Sequence, residues 1–136
     1  MVGAGLGGCA TAMAMHAQGF QVEIFEKVRQ FLRLGVSLGL GENALRLLER
    51  WGLHEELIKT GNKSEMLQIR HWETGEIIAQ QPLMGMAGYV GHRGDYHAAF
   101  LKRVHELGIP LHMGCNVGFP RRHARKSSLL DCGSDR

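Results

Sequence analysis

Gly3, Gly5 and Gly8 have the spacing G-x-G-x-x-G, and an acid, Glu26, stands eighteen residues after the last of them. The chemistry suited to that pattern is the binding of a dinucleotide pyrophosphate. One glycine makes a tight turn, one lets the backbone approach the pyrophosphate, and one allows the following helix to pack closely. The helix N-terminus offers unpaired N–H groups and the positive end of its dipole to phosphate. Glu26 is placed to accept hydrogen bonds from an adenosine ribose, and its charge disfavours a 2′-phosphate there, so FAD or NAD suits the site better than NADP. A second constellation, Gly91-His92-Arg93-Gly94-Asp95-Tyr96-His97, puts the cation Arg93 just ahead of a helix whose expected N-cap is Asp95. Arg93 can reach a phosphate or ribose from there, although an arginine before a helix is more often a plain surface residue.

Other chemistries find less support. The eight histidines include His92 and His97, five apart, and His105 and His112 on separate elements, with no H-E-x-x-H and no cysteine partner, so no metal site is expected. No Gly-x-Ser-x-Gly turn is present to carry a hydrolase nucleophile. Cys9, Cys115 and Cys132 form neither a C-x-x-C pair nor an even set, and the expectation is three free thiols in a reducing compartment. The net charge of +3 comes from the end of the chain, where Arg121, Arg122, His123, Arg125 and Lys126 cluster. That tail has no interleaved aromatics for base stacking, so nucleic acid is not an expected partner. No residue stands out as a general base with a neighbouring partner, and catalytic residues stay unassigned.

The elements that must position these residues follow from periodicity. Leu6 to Gln18 predicts a helix with Leu6, Ala10, Met13, Ala14 and Ala17 on one face, stopped at Gly19. Phe20 to Glu26 alternates as a strand, and residues 27–42 form a connection. A helix from Asn43 buries Ala44, Leu47, Leu48 and Trp51 and ends at Gly52, and a short helix through Glu55–Ile58 closes at Gly61. Met66–Trp72 and Glu76–Ala79 predict a hairpin around Thr74-Gly75, followed by a loop from Pro82 to Gly91. Asp95 to Leu107 predicts a helix with Phe100, Leu101, Val104 and Leu107 inward, and Ile109–Val117 a last strand. Glycine is 19 of 136 residues, about twice the usual ~7%, but without a Gly-X-Y period, which excludes collagen. No apolar run reaches the 18 or so residues of a membrane span, and the start lacks a secretory signal, so a cytoplasmic protein without a membrane partner is expected.

These segments together resemble the N-terminal part of the FAD-dependent aromatic-ring monooxygenases, the salicylate-hydroxylase-like group A flavoproteins. The resemblance runs in order from Gly3-Ala4-Gly5-Leu6-Gly7-Gly8 through Gly19-Phe20-x-Val22-x-Ile24-Phe25-Glu26 and Leu34-Gly35-Val36-Ser37-Leu38. It continues with Asn43-Ala44-Leu45-Arg46-Leu47-Leu48, Trp51-Gly52-Leu53 and His92-Arg93-Gly94-Asp95-Tyr96-His97-Ala98-Ala99-Phe100-Leu101. It implies an α/β fold with FAD on Gly3, Gly5 and Gly8, the adenosine ribose on Glu26, and a further cofactor contact from Arg93. It also implies that the Gly35–Ser37 loop passes near the flavin ring. The implied activity is hydroxylation of a small, aromatic organic substrate with NADH or NADPH and O2.

Departures from the family qualify the expectation. Only Met1-Val2 precede the glycine turn, where a Rossmann turn follows a buried apolar strand. The expected fold is therefore an incomplete Rossmann-like FAD-binding domain over 1–117, its first strand largely missing, with a small β-hairpin insertion. The family's later Asp-Gly and Gly-Asp motifs and its substrate-binding sheet have no counterpart, and 118–136 reads as an irregular basic tail. Two readings stay open: the cofactor-binding part of a monooxygenase, or a truncated, inactive remnant or nucleotide-binding module. An NAD-only dehydrogenase is the nearest rival enzyme.

Overall fold

The computed structural model describes residues 1–83, 88–118 and 130–132. In chain order its first elements are α1 (Leu6–Ala17), β1 (Ile24–Glu26), β2 (Ser37–Leu40), α2 (Glu42–Arg50), α3 (His54–Thr60) and β3 (Gly61–Ser64). Then follow β4 (Met66–Arg70), β5 (Ile77–Pro82), β6 (Gly88–His92), α4 (Arg93–Glu106), β7 (Leu111–Met113), β8 (Cys115–Val117) and β9 (Leu130–Cys132). The chain forms two compact units, one of Met1–Arg33 with His97–Arg136 and the other of Leu34–Tyr96.

In the first unit β1 pairs in parallel with β7, Ile24 opposite Leu111 and Glu26 opposite Met113. The two residues ahead of the glycine turn form a single parallel bridge, Val2 to Phe25. Phe25 N–H donates to Met1 O at 2.9 Å and Gly3 N–H to Phe25 O at 2.8 Å, so the turn is held in line with β1. The strand expected over Phe20–Glu26 forms only from Ile24, and Phe20 is exposed. Its partner explains this: Pro110, just ahead of β7, has no N–H with which to extend the ladder. The core includes Ala4, Cys9, Ala12, Met13, Ile24, Ala99, Phe100, Val104, Ile109 and Cys115. Of the face expected for α1 only Met13 is fully buried, because a helix of Ala, Gly and Met is apolar on nearly every side and its periodicity is degenerate.

The strand expected over Ile109–Val117 is divided at Gly114, whose N–H donates to Val28 O at 3.0 Å. Downstream of it β8 pairs antiparallel with β9, with Cys115 directly opposite Cys132. The two are joined in a disulfide, their Cα atoms 4.0 Å apart, which corrects the expectation of three free thiols. Spacing along the chain carries no trace of this pairing, since it is set by strand register alone. Cys9 is free and buried.

The second unit is built on the antiparallel sheet β2-β6-β3, with β6 central, beside the antiparallel hairpin β4-β5. Three of these strands lie where connections or helix stops were expected: β2 within 27–42, β3 from Gly61, and β6 from the end of the Pro82–Gly91 loop through His92, that loop's 84–87 being outside the described residues. Their sequences, Ser-Leu-Gly-Leu, Gly-Asn-Lys-Ser and Gly-Tyr-Val-Gly-His, are poor in the β-branched residues that mark strands. The glycines are there for close approach. A Cβ on Gly88 would collide with Leu40 O, and one on Gly91 would lie 2.7 Å from the Tyr96 ring.

Tyr96 fills the space that Gly61 and Gly91 leave and is fully buried, and Leu45, Leu48, Leu53 and Leu57 are buried in the same unit. The buried face of α2 is thus Leu45 and Leu48, while Leu47, expected inside, is about half exposed at 48%. The helix after β6 begins at Arg93, two residues before Asp95, and His92 Nδ1 accepts the Gly94 N–H at 3.1 Å. His92 therefore caps the first turn, and Asp95 lies inside it. Among the described residues the Tyr96 hydroxyl has no hydrogen-bond partner, and burial raises its pKa. Removing an unsatisfied buried hydroxyl is neutral or favourable. Tyr96→Phe is accordingly expected to keep or raise thermal stability, by up to about 1 kcal/mol, as read from paired melting curves.

Candidate functional site

The glycine turn is the best-built feature of the first unit. Gly3 adopts φ +87°, a left-handed conformation that side chains resist. A Cβ on Gly8 would collide with the Gly3 carbonyl oxygen, so the helix can start this close to the turn only with glycine there. The packing that requires Gly8 is against the turn itself. Gly5 differs from both, since its φ is −67° and a Cβ on it would meet nothing of the protein. Among the described residues nothing demands glycine at position 5, and the space in front of it is open.

Gly5 is also the N-cap of α1, and among the described residues no side chain caps that terminus. The first turn contains no acidic residue. Its N–H groups and the positive end of the helix dipole are thus left for an anion. One turn later Thr11 Oγ donates back to Gly7 O at 2.8 Å, a bond that stays within the helix.

Glu26, at the C-terminal end of β1, is 7% exposed. Its Oε2 accepts the Ala4 N–H at 2.7 Å and its Oε1 the Val28 N–H at 3.0 Å. Burial works against the charge, and is the largest single influence on it. The N–H groups of Ala4, Val28 and Lys27, with the Lys27 ammonium, together outweigh burial and hold the carboxyl below its ordinary value. Each carboxylate oxygen has a second lone pair, so both retain capacity for a hydroxyl donor. Ala4 O in turn lies 2.6 Å from His97 Nε2 and accepts the Cys9 thiol at 3.3 Å. Neither contact was foreseen. In the sequence His97 belongs only to the Arg93 constellation and to the histidines weighed as metal ligands, and the apolar phase of α4 is the signal that points to it.

Arg93 belongs to the second unit, where it is exposed at the first position of α4. Its N–H donates to Val36 O at 2.9 Å, and a Cβ on Gly35, which has φ +116°, would lie 3.3 Å from the Arg93 side chain. The structure so brings Gly3, Gly5, Gly8 and Glu26 into one site, and joins Arg93 to the Gly35–Ser37 loop. Among the described residues no three His, Cys, Asp or Glu side chains group as a metal site. No helix among them is long and apolar enough to cross a membrane.

The family described as an FAD binding domain matches residues 1–126. The chain belongs to that family. Over 109 residues it is 37% identical to 6-hydroxynicotinate 3-monooxygenase of Pseudomonas fluorescens, covering 75% of this chain and 28% of that one. The crystal structure of CtdE in complex with FAD and a substrate is similar at a TM-score of 0.76 and 25% identity, over 85% of this chain and 29% of that one. The tetrameric 2-methyl-3-hydroxypyridine-5-carboxylic acid oxygenase has the same fold at a TM-score of 0.76 and 21% identity, over 84% of this chain and 30% of that one. The chain thus spans somewhat over a quarter of the length of these relatives. Its α/β architecture is that of FAD binding domains.

Because the Glu26 carboxyl is held below its usual 4.5 in the folded state, its contribution to stability is fully present above that pH. It is lost as pH falls through the lower folded value. Glu26→Gln in this FAD binding domain is expected to cost about 2 kcal/mol at pH 7, through one backbone N–H facing an amide instead of a carboxylate. Wild type should lose more stability than Glu26→Gln between pH 5 and pH 3, measured by denaturant unfolding at each pH. Parallel losses in the two proteins would contradict the clamp.

Proposed function

We propose that this chain is the FAD-binding part of a flavin-dependent monooxygenase that hydroxylates a small aromatic substrate with NADH or NADPH and O2. The observation that carries the reading is the open, uncapped start of α1 at Gly5, beside a glycine turn clamped by an ionised Glu26. The relative 6-hydroxynicotinate 3-monooxygenase is named for an aromatic substrate, which supports an aromatic substrate here.

Each residue has a role in this scheme. Gly3 sets the turn, Gly8 lets α1 begin against it, and Gly5 leaves room for a pyrophosphate on the helix N-terminus. Glu26 accepts from the adenosine ribose through the lone pairs that Ala4 and Val28 leave unused. Arg93, with its stem against Gly35, provides a cation to the cofactor. When bound, the flavin supplies the redox chemistry, and the protein orients and desolvates it.

The scaffold is read as a partial Rossmann-like domain over 1–117, with 118–136 a basic tail. The parallel Val2–Phe25 bridge, which sets the residues ahead of the turn beside β1, supports this reading. For the 136-residue chain acting by itself, the reading is a nucleotide-binding module without turnover. The chain's 28% share of the monooxygenase it matches supports this reading.

Titration of the purified chain with FAD, followed by quenching of flavin fluorescence, tests the assignment. Glu26→Ala and Arg93→Ala are each expected to weaken binding about tenfold, the loss of one charge-assisted hydrogen bond. Gly5→Ala is expected to weaken it as strongly while leaving the melting temperature within a few degrees, because its Cβ meets no protein atom. Unchanged affinity in both Glu26→Ala and Arg93→Ala sinks the assignment. The chain with FAD is further expected to show no substrate-stimulated NADPH oxidation, and turnover would overturn the reading of it as a binding module.

A further inference from the structure

Ala4 is fully buried in the middle of the glycine turn, and both of its backbone groups are held by side chains distant in sequence. Its N–H goes to Glu26, and its carbonyl oxygen faces His97 Nε2 at 2.6 Å and the Cys9 thiol at 3.3 Å. A carbonyl only accepts, so the ring nitrogen facing it carries the proton, and His97 is an Nε2–H donor. The ring is steadied by Phe31, edge-on with centroids 4.6 Å apart at 86°. The thiol is the weaker donor of the two. Burial, with the Glu26 charge adding to it and the bond from its own backbone N–H opposing, pushes Cys9 up to about 11, so the thiol keeps its proton.

The peptide between Ala4 and Gly5 is planar and trans, so its C=O and N–H point in opposite directions. Drawing the Ala4 oxygen toward His97 and Cys9 in the interior turns the Gly5 N–H outward. Gly5 is exposed, and the space in front of its Cα is open. We propose that His97 is a positioning residue for the nucleotide site, fixing the Ala4–Gly5 peptide so that the Gly5 N–H is presented to a bound pyrophosphate. This rests on the FAD-binding reading above. It adds a residue 93 positions from Ala4, on α4, to the hold on the glycine turn, which otherwise comes from the first 28 residues.

The consequence is a specific pattern among substitutions at His97. Gln places an amide N–H where the imidazole Nε2–H lies, whereas Leu keeps bulk and removes the donor. FAD affinity is expected to fall about tenfold in His97→Leu and to stay within about threefold of wild type in His97→Gln, since 1.4 kcal/mol corresponds to a factor of ten. Loss of affinity to the same degree in both variants, or in neither, overturns the proposal. A wild-type chain that takes up no FAD at all refutes the functional reading instead, and two measurements without ligand then decide for His97. Long-range 1H–15N spectra of wild type should show His97 protonated at Nε2. The Gly5 amide resonance should shift in His97→Leu and return toward its wild-type position in His97→Gln. An unprotonated Nε2, or a Gly5 amide indifferent to both changes, overturns the proposal. The wild-type tautomer settles it even where His97→Leu fails to fold.

Discussion

The bond between the Ala4 N–H and the Glu26 carboxylate is the constraint on which the first unit depends. The turn that Gly3 opens has few atoms of its own with which to hold a shape. A buried carboxylate is costly unless several donors satisfy it, and here the donors are backbone amides on either side of the acid. Ala4 supplies one from the turn and Val28 another from the chain just past β1. The same charge therefore fastens the turn to the end of the strand and directs where the chain leaves it.

From that clamp the other features follow in order. With Ala4 fixed, its carbonyl oxygen lies among His97 and Cys9, and the start of α1 follows directly at Gly5. The collision that any side chain at position 8 would make with the Gly3 carbonyl shows how little room the arrangement leaves. What is left open is the face that an anion would occupy: a helix terminus with no side-chain cap among the described residues and no acidic residue in its first turn. A site built this way owes its electrostatics to backbone dipoles, which cost nothing to reorganise when a charged ligand arrives.

The second unit obeys a different rule, the accommodation of one large side chain. Tyr96 is buried where Gly61 and Gly91 lack side chains, and the strands that carry those glycines have few of the residues that usually favour sheets. Its hydroxyl is unsatisfied among the described residues, so the ring is kept for its volume. Arg93 sits three residues earlier on the same helix, tied by its N–H to Val36 and by its stem to Gly35. A loop and a cation that the sequence placed in separate motifs are thereby one structural feature.

Local chemistry was enough to read much of this from the chain. Glycine spacing, the acid after the strand and the helical periods of α1, α2 and α4 depend on neighbours within a few residues, and the linear sequence records those directly. The family resemblance extended the reading to FAD, and the FAD binding domain match over 1–126 agrees with it. Long-range pairing left no such record. The glycine-rich strands β2, β3 and β6 exist because partner backbones and Tyr96 come close, and Cys115 meets Cys132 because two short strands share a register. The length of β1 was set by a proline ahead of its partner, and the buried faces of α1 and α2 by what lies against them. The hold on Ala4 by His97 is the clearest case. A hydrogen bond across 93 residues has no sequence period, and only the folded chain brings its two ends together.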